Sequence, residues 1–178
     1  NFCFSSIKSD TGKRVLDAYE YLDEEFLLLY GDNFWKPNLK KMYKNFKNKK
    51  IKMRKSVFTN KHGTAEYGKQ NNVLVKKNFL VEMYDKTRKD KKLNGIDIGF
   101  FLVNKLFLEQ FINKNKNYSF EKDILVKSIK KKQLIAFKTD RQYYSLTNVK
   151  MLKKFEKIVN LKKLKFITIW KNYIKIFL

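Results

Sequence analysis

Two carboxylates occupy positions in predicted strands where a charged group could support chemistry. One lies at the end of a strand and the other lies within a strand. Asp32 follows the apolar run 25–30 and the turn glycine Gly31, so it lies at the carboxyl end of a predicted strand. In open α/β sheets, ligands bind outside those ends. Asp97 interrupts the apolar segment 95–103 and needs a polar partner if it is buried. The sequence identifies no catalytic residue.

The composition excludes chemistry that depends on several cysteines or histidines. The sequence has one cysteine, Cys3, and one histidine, His62. One residue of each type cannot form an internal disulfide or a zinc site. We predict that Cys3 is a small buried apolar residue and that His62, beside Gly63, lies in a surface turn.

The elements that would position these carboxylates alternate between helix and strand. Apolar residues have helical spacing over 11–21, where Asp10 or Thr11 could cap the helix, and over 37–47. The run 25–30 between them predicts a strand buried on both faces, and together they form an α/β unit. Further strands are predicted at 52–59, 72–76, 79–84, 95–103, 134–138 and 142–146, and further helices at 105–111, 120–131 (capped by Ser119) and 149–159.

The formal net charge of +24 favours an anionic partner, but the composition suggests another origin. The chain has 37 lysines and only four arginines, and residues with A/T-rich codons are abundant. Nucleic-acid binders favour arginine for bidentate contacts. We therefore interpret the lysines mainly as solvated surface, with weak, salt-sensitive binding of polyanions as a consequence. With no secretory signal and no apolar stretch of about 20 residues, we expect a cytoplasmic protein without a membrane span.

Six motifs follow one another along residues 8–159. They are TGKRVLDA at 11–18 with FLLLYGDN at 26–33, YG at 67–68, YDK at 84–86, NGIDIGFF at 94–101, SFEKDIL at 119–125 and YSLTN at 144–148. In this order they resemble the sugar-1-phosphate nucleotidyltransferases, which make nucleotide-activated sugars such as GDP-mannose, GDP-heptose, CDP-glucose or dTDP-glucose. The nearest resemblance is to the mannose- and heptose-1-phosphate guanylyltransferases.

The resemblance implies an α/β fold that is partially Rossmann-like (GT-A-like), with a mixed sheet flanked by helices. It also implies that a sugar-1-phosphate attacks the α-phosphate of a nucleoside triphosphate, while Mg²⁺ offsets the anionic oxygens. It places a metal carboxylate at Asp32 and the nucleotide near Gly12. Lys86 would face the sugar phosphate as a point charge. The residues that it places at the sugar phosphate are Gly68, Asp85, Lys86, Gly95 and Asp97, and the partner of Asp97 is either a sugar hydroxyl or a nearby lysine.

The chain departs from the family pattern in two places. Nothing in residues 1–10 resembles the glycine-rich loop G-G-x-G-T-R-L-x-P, whose amides cradle the triphosphate. We therefore expect residues 1–159 to be a partial nucleotidyltransferase domain, inactive alone or completed by a separate N-terminal chain. Ser145 stands where the family has its second metal carboxylate, and a neutral hydroxyl cannot replace that charge. Residues 160–178 are expected to form a basic aromatic tail.

Two functions from different classes remain open. The first is a nucleotidyltransferase-like protein of nucleotide-sugar synthesis for surface polysaccharide, whose enzymatic activity the sequence leaves undecided. The alternative is a basic module that binds RNA or another polyanion. Lysines interleaved with aromatic residues at 40–55 and 162–175 support this alternative.

Overall fold

The computed structural model describes residues 2–44, 46, 51–112 and 116–160. Its elements follow the predicted order, most of them with shorter bounds. The strands are β1 (Glu25–Leu29), β2 (Asn33–Phe34), β3 (Met53–Phe58), β4 (Val73–Val75), β5 (Val81–Tyr84), β6 (Ile96–Asn104), β7 (Leu134–Thr139) and β8 (Tyr144–Ser145). The α-helices are α1 (Thr11–Asp17), α2 (Leu39–Tyr43), α3 (Val126–Lys130) and α4 (Val149–Asn160). Two 3₁₀ segments, Tyr19–Tyr21 and Lys105–Phe111, and a π-helical segment, Phe120–Leu125, complete the described elements.

A mixed four-stranded sheet, in the order β1–β6–β3–β7, forms the centre of the fold. β3 and β7 are parallel, whereas β6 is antiparallel to both of its neighbours, β1 and β3. β1, β3 and β7 therefore run in the same direction, and their carboxyl ends meet at one edge of the sheet. The predicted α/β class with a mixed sheet flanked by helices is confirmed.

Apolar clusters cover both faces of this sheet. Val57 and Phe101 belong to the cluster on the first face, against which α1 packs. Phe58 and Phe100 belong to the cluster on the second face, together with Met42 of α2. Neighbouring residues of one strand contribute to opposite clusters because side chains alternate across a sheet. The two central strands, β6 and β3, are consequently buried along almost their whole length.

Local capping sets where two of the helices begin. Asn38 accepts a hydrogen bond from the Lys41 amide at 3.0 Å, so α2 starts after Pro37 and is shorter than the predicted helix. Ser119 accepts from the Lys122 amide at 3.3 Å, which confirms the predicted cap. The Asp123 carboxylate accepts a hydrogen bond from the Ser119 amide at 2.8 Å. This bond is reciprocal to the cap, as in a capping box, but its acceptor lies four residues after the cap residue and not three.

Two local predictions are wrong. β1 is only partly buried, because it is an edge strand that pairs with β6 and with no other strand in the described part of the chain. Cys3 is exposed and not a buried apolar residue. The predicted surface turn at His62 is confirmed. No helix within the described ranges is both long enough and apolar enough to cross a membrane. The predicted tail, apart from the last residue of α4, lies outside the described residues.

Candidate functional site

The carboxyl end of β1 opens into a cleft of about 630 Å³, here called the strand-end cleft. One wall is formed by the end of β1 and the residues that follow it up to Asp32. A second wall is formed by the first turn of α1, and a third by residues 119–122. Lys86, from the segment after β5, also lines it. The cleft thus unites Asp32 and Lys86, two residues that the sequence assigns to the metal and to the sugar phosphate. Its polar and charged lining residues are Asp10, Thr11, Arg14, Asp32, Lys86, Ser119, Glu121 and Lys122.

Gly12 holds α1 close to the opposite wall of this cleft. A β-carbon at this position would lie 2.7 Å from the Tyr118 carbonyl oxygen and 2.9 Å from the Phe120 nitrogen. The Lys13 amide donates to that same carbonyl at 2.9 Å, and the Phe120 amide donates to Thr11 Oγ1 at 3.0 Å. Close backbone packing therefore accounts for the glycine, and contact with a nucleotide stays a prediction.

Glu121 joins two side chains at the edge of the cleft. Its Oε1 accepts a hydrogen bond from the Tyr84 hydroxyl at 2.9 Å, and its Oε2 contacts Lys86 Nζ at 3.1 Å. The Lys86 side chain keeps 74% of its surface exposed, so its ammonium group remains accessible to an anion that enters the cleft. An exposed ion pair of this kind contributes little stability and can exchange one anionic partner for another.

Asp97 forms a buried ion pair with Lys55 directly beneath this network. Lys55 Nζ lies 2.7 Å from Asp97 Oδ2, with side-chain exposures of 0% and 4%. Asp97 Oδ1 accepts from the Gly99 amide at 3.0 Å, and Lys55 Nζ sits 4.9 Å from the centre of the Tyr84 ring. Of the two partners left open by the sequence, the structure gives Asp97 the lysine. Burial lowers the pKa of Lys55, and the Asp97 carboxylate opposes that shift.

Two tyrosines near this pair are held in the protonated state. Burial raises the pKa of Tyr30, and the negative charges of Asp97 and Glu121 raise it further. The pKa of Tyr84 is raised in the same way, first by burial and then by Asp97 and Glu121. Both hydroxyls are therefore neutral at physiological pH and cannot serve as anionic bases there.

Three other predicted sugar-phosphate residues occupy structural positions outside the lining of the cleft. The carboxylate of Asp85 accepts from the Thr87 hydroxyl at 2.7 Å and the Thr87 amide at 2.8 Å, and these bonds lower its pKa. Gly68 has a φ of +60° and its carbonyl accepts from Asn60 Nδ2 at 2.9 Å. A β-carbon on Gly95 would lie 2.4 Å from a methyl group of Val57. Their roles toward a sugar stay predictions.

Ser145 lies on a short strand whose partner strand directly follows Asp32. β8 pairs with β2, which places Ser145 opposite Asn33, and the Leu146 amide donates to the Asp32 carbonyl at 2.7 Å. The Ser145 hydroxyl donates to Glu66 Oε2 at 2.8 Å, and a second hydroxyl, that of Thr147, holds the other carboxylate oxygen of Glu66. A carboxylate is thus present beside Ser145, but Glu66 comes from a different segment and two hydroxyls already engage it.

These residues supply only part of the magnesium site that the resemblance implies. In the part of the chain that the structure describes, no three side chains among His, Cys, Asp and Glu are arranged to hold a metal ion. Mg²⁺ takes oxygen ligands in octahedral geometry, usually one or two carboxylates together with waters and substrate phosphates. Asp32 offers one carboxylate, Ser145 offers a neutral hydroxyl, and Glu66 is bound by Ser145 and Thr147.

Comparison with solved structures identifies the fold. HddC from Yersinia pseudotuberculosis matches with a TM-score of 0.63 at 18% identity, over 84% of this chain and 62% of that chain. A putative glucose-1-phosphate thymidylyltransferase from Bacillus anthracis, in complex with a sucrose, matches with a TM-score of 0.65 at 12% identity, over 83% and 60%. The inositol-1-phosphate CTP transferase from T. maritima matches with a TM-score of 0.62 at 15% identity, also over 83% and 60%. The chain has the fold of the sugar-phosphate nucleotidyltransferases.

The nucleotidyltransferase fold is shared only in part. The chain spans less than two thirds of the length of these structures. HddC in complex with GMP-PN matches over 86% of this chain with a TM-score of 0.65. No family model matches the sequence, and no curated protein does. Since one fold supports many functions, activity has to be argued from the site.

Two residues of the site escaped prediction from the sequence. Lys55 lies in a predicted strand, but nothing in its local sequence distinguishes it from the many surface lysines. Glu66 directly precedes the YG motif at 67–68, and this proximity is the only signal that could have indicated it. Glu121, by contrast, belongs to the SFEKDIL motif, although the resemblance assigns it no role.

Proposed function

We propose that the strand-end cleft binds a sugar phosphate and that residues 1–159 form a partial domain of a nucleotidyltransferase. The observation that supports this most is that Lys86 and Asp32 line one cleft at the carboxyl end of β1. Ligands of open α/β sheets bind at such strand ends. Arg14 and Lys122 line the same cleft and add positive charge. A phosphate that enters would replace Glu121 as the partner of Lys86.

The same arrangement limits what the chain would catalyse alone. Transfer of a nucleotidyl group requires donors and cations that neutralise a triphosphate. Asp32 lacks the second carboxylate that the family pattern has at the position of Ser145. We therefore expect residues 1–178 to bind the sugar phosphate without turnover. The expected acceptor is a mannose- or heptose-type sugar phosphate, of the kind used to make nucleotide sugars for surface polysaccharide.

Calorimetric titration with mannose 1-phosphate tests the proposed binding. The unmodified chain should bind it saturably and should not bind mannose, because the phosphate provides the charge that Lys86 recognises. Lys86→Gln should weaken binding about tenfold, as expected for one exposed charge-assisted contact. Lys91→Gln removes the same charge from a residue that does not line the cleft and should leave the affinity unchanged. Equal affinity of the two variants would show that the proposal is wrong.

Pyrophosphate release tests the second part of the proposal. The purified chain, supplied with a nucleoside triphosphate, mannose 1-phosphate and Mg²⁺, should release no pyrophosphate above the rate of a Lys86→Gln sample. Sustained release that Lys86→Gln abolishes would contradict the expected inactivity while still supporting the assignment of the cleft.

The alternative of a polyanion-binding module rests on 40–55 and 162–175, and the second of these segments lies outside the described residues.

A further inference from the structure

A second cavity, of about 470 Å³, lies at the carboxyl ends of β3 and β7. It shares no lining residue with the strand-end cleft. Trp35 and Phe137, which contribute to it, belong to the apolar cluster on the second face of the sheet. We call it the basic cavity, because five cationic side chains and one carboxylate line it. These are Lys36, Lys41, Lys61, Lys138 and Arg141, with Asp140.

Two buried polar groups in the lining of this cavity have no hydrogen-bond partner among the residues that the structure describes. They are the indole N–H of Trp35, a residue with only 2% of its surface exposed, and the hydroxyl of Thr59. Most buried donors in proteins are satisfied, so an unpaired one calls for an explanation. An indole N–H can only donate. A partner for the Trp35 N–H must therefore be an acceptor, and Trp35 itself lines the basic cavity.

The surrounding structure holds this site in a fixed shape. The Thr59 amide donates to the Thr139 carbonyl at 2.9 Å, which ties the ends of β3 and β7 together. The Arg141 amide donates to Thr139 Oγ1 at 3.1 Å, and its guanidinium donates to the Lys36 carbonyl at 3.4 Å. The Trp35 ring packs edge-on against Phe100 with centroids 5.2 Å apart. The arginine and the indole are thus both positioned before any ligand arrives.

We propose that the basic cavity binds a small phosphate-bearing molecule. The Trp35 N–H and the Thr59 hydroxyl would donate to its oxygens, and Lys61, Lys138 and Arg141 would neutralise its charge. A planar guanidinium matches the geometry of phosphate, and charge-assisted bonds are the strong ones. The cavity volume lies in the range of small-molecule sites, which leaves room for a second phosphate or a nucleoside beside the first. This site is independent of the sugar phosphate proposed for the strand-end cleft.

The test uses pyrophosphate as the probe and the full chain as the protein. Trp35 and Trp170 are the only tryptophans in the sequence, so Trp170→Phe leaves Trp35 as the sole indole reporter. Pyrophosphate at about 0.15 M salt should change the Trp35 fluorescence saturably, whereas sodium chloride at equal ionic strength should not. Parallel titrations with inorganic phosphate and with ATP show whether the site accepts a free phosphate or a nucleotide. No saturable change with any of the three would overturn the proposal.

Variants separate a built site from general attraction to a cationic surface. By calorimetry, Trp35→Phe should weaken pyrophosphate binding about tenfold, because it removes the N–H donor and keeps an aromatic, though smaller, side chain. Lys61→Gln combined with Lys138→Gln should weaken it at least as much. Lys91→Gln combined with Lys92→Gln makes the same charge change outside the cavity and should alter the affinity less than about twofold.

Two outcomes would contradict the proposal. Equal weakening by both lysine pairs would mean that the probe is attracted only by net charge, and an unchanged affinity of the Lys61/Lys138 pair would mean that it binds elsewhere. Circular dichroism checks that each variant is folded. If Trp35→Phe does not fold, the comparison of the two lysine pairs decides the question. Lys86→Gln should leave this binding intact even if mannose 1-phosphate fails to bind the strand-end cleft.

Discussion

At the scale of single residues, the ion pair between Lys55 and Asp97 makes each side chain dependent on the other. Both are almost completely buried, and Nζ and Oδ2 lie 2.7 Å apart. Asp97→Asn should lower the free energy of unfolding by roughly 3–5 kcal/mol, because it leaves the Lys55 charge buried without a partner. Lys55→Met should have an effect of similar size for the opposite reason. Urea denaturation of each variant measures the change.

The double variant tests whether the charges depend on each other or whether each side chain matters separately. Lys55→Met with Asp97→Asn removes both charges, while residue 97 keeps a side-chain oxygen for the Gly99 amide. We expect the double variant to be more stable than either single variant, since replacing a whole buried pair is often tolerated. A double variant whose loss equals the sum of the two single losses would show that the residues are not coupled.

The sequence could identify only one partner of this pair. Asp97 stands out as a single carboxylate in an apolar run, and a need for a partner follows directly. Lys55 does not stand out, because it is one of 37 lysines in the chain. Its burial comes from the position of β3 between β6 and β7, and that arrangement is set by strands distant in sequence. Asp32 and Lys86 could be assigned from motifs because the resemblance fixes their order along the chain.

At the scale of secondary structure, a bulge in β6 shapes the region beside the strand-end cleft. In the pairing of β3 with β6, Lys55 lies opposite Phe101 and Val57 lies opposite Asp97. The three β6 residues between Asp97 and Phe101 therefore lie opposite a single β3 residue, Ser56. Gly99, within this bulge, has a φ of +73°, and its carbonyl accepts from the Tyr30 amide at 2.8 Å. The bulge therefore brings the end of β1 against the strand that carries Asp97.

Gly99→Ala should destabilise this bulge strongly. A β-carbon there would lie 2.7–2.8 Å from three atoms of Tyr30, and alanine would be strained at this φ. We expect the free energy of unfolding to fall by roughly 2–5 kcal/mol, from backbone strain and overpacking together. Gly31→Ala is the matched control, because nothing lies within 4 Å of its added β-carbon. Thermal denaturation should separate the two, and similar melting temperatures would argue against a structural need for Gly99.

Sequence periodicity predicts the elements better than it predicts their arrangement. Most strand bounds from apolar runs agree with the structure to within one or two residues, since burial of β3, β6 and β7 requires such runs. The bulge at Gly99 was not predicted, because a glycine in a strand indicates only that something close or strained occurs there. β1 was expected to be buried on both faces. Its run 25–30 has the composition of a central strand, but it lies at the edge of the described sheet.

At the scale of the whole molecule, the net charge and the edge of β1 act in opposite directions on self-association. An edge strand presents unpaired backbone groups that can pair with another chain, and β1 has no second partner among the strands that the structure describes. A net charge of +24 keeps copies apart at low salt. Salt shortens the screening length from about 30 Å at 0.01 M to about 10 Å at 0.1 M, so association should increase with salt. Sedimentation velocity over this range measures it.

Charged substitutions of two exposed leucines, one on β1 and one outside it, show whether the edge of β1 causes the self-association. Leu29 belongs to β1 and is 45% exposed, whereas Leu106 is 61% exposed and lies in a 3₁₀ segment. Leu29→Lys should suppress the salt-dependent association, because a lysine on an edge strand opposes pairing with a second copy. Leu106→Lys adds the same charge to the molecule and removes a more exposed apolar side chain, yet it should leave association unchanged. If both variants reduce association equally, general apolar contact and not strand pairing joins the copies.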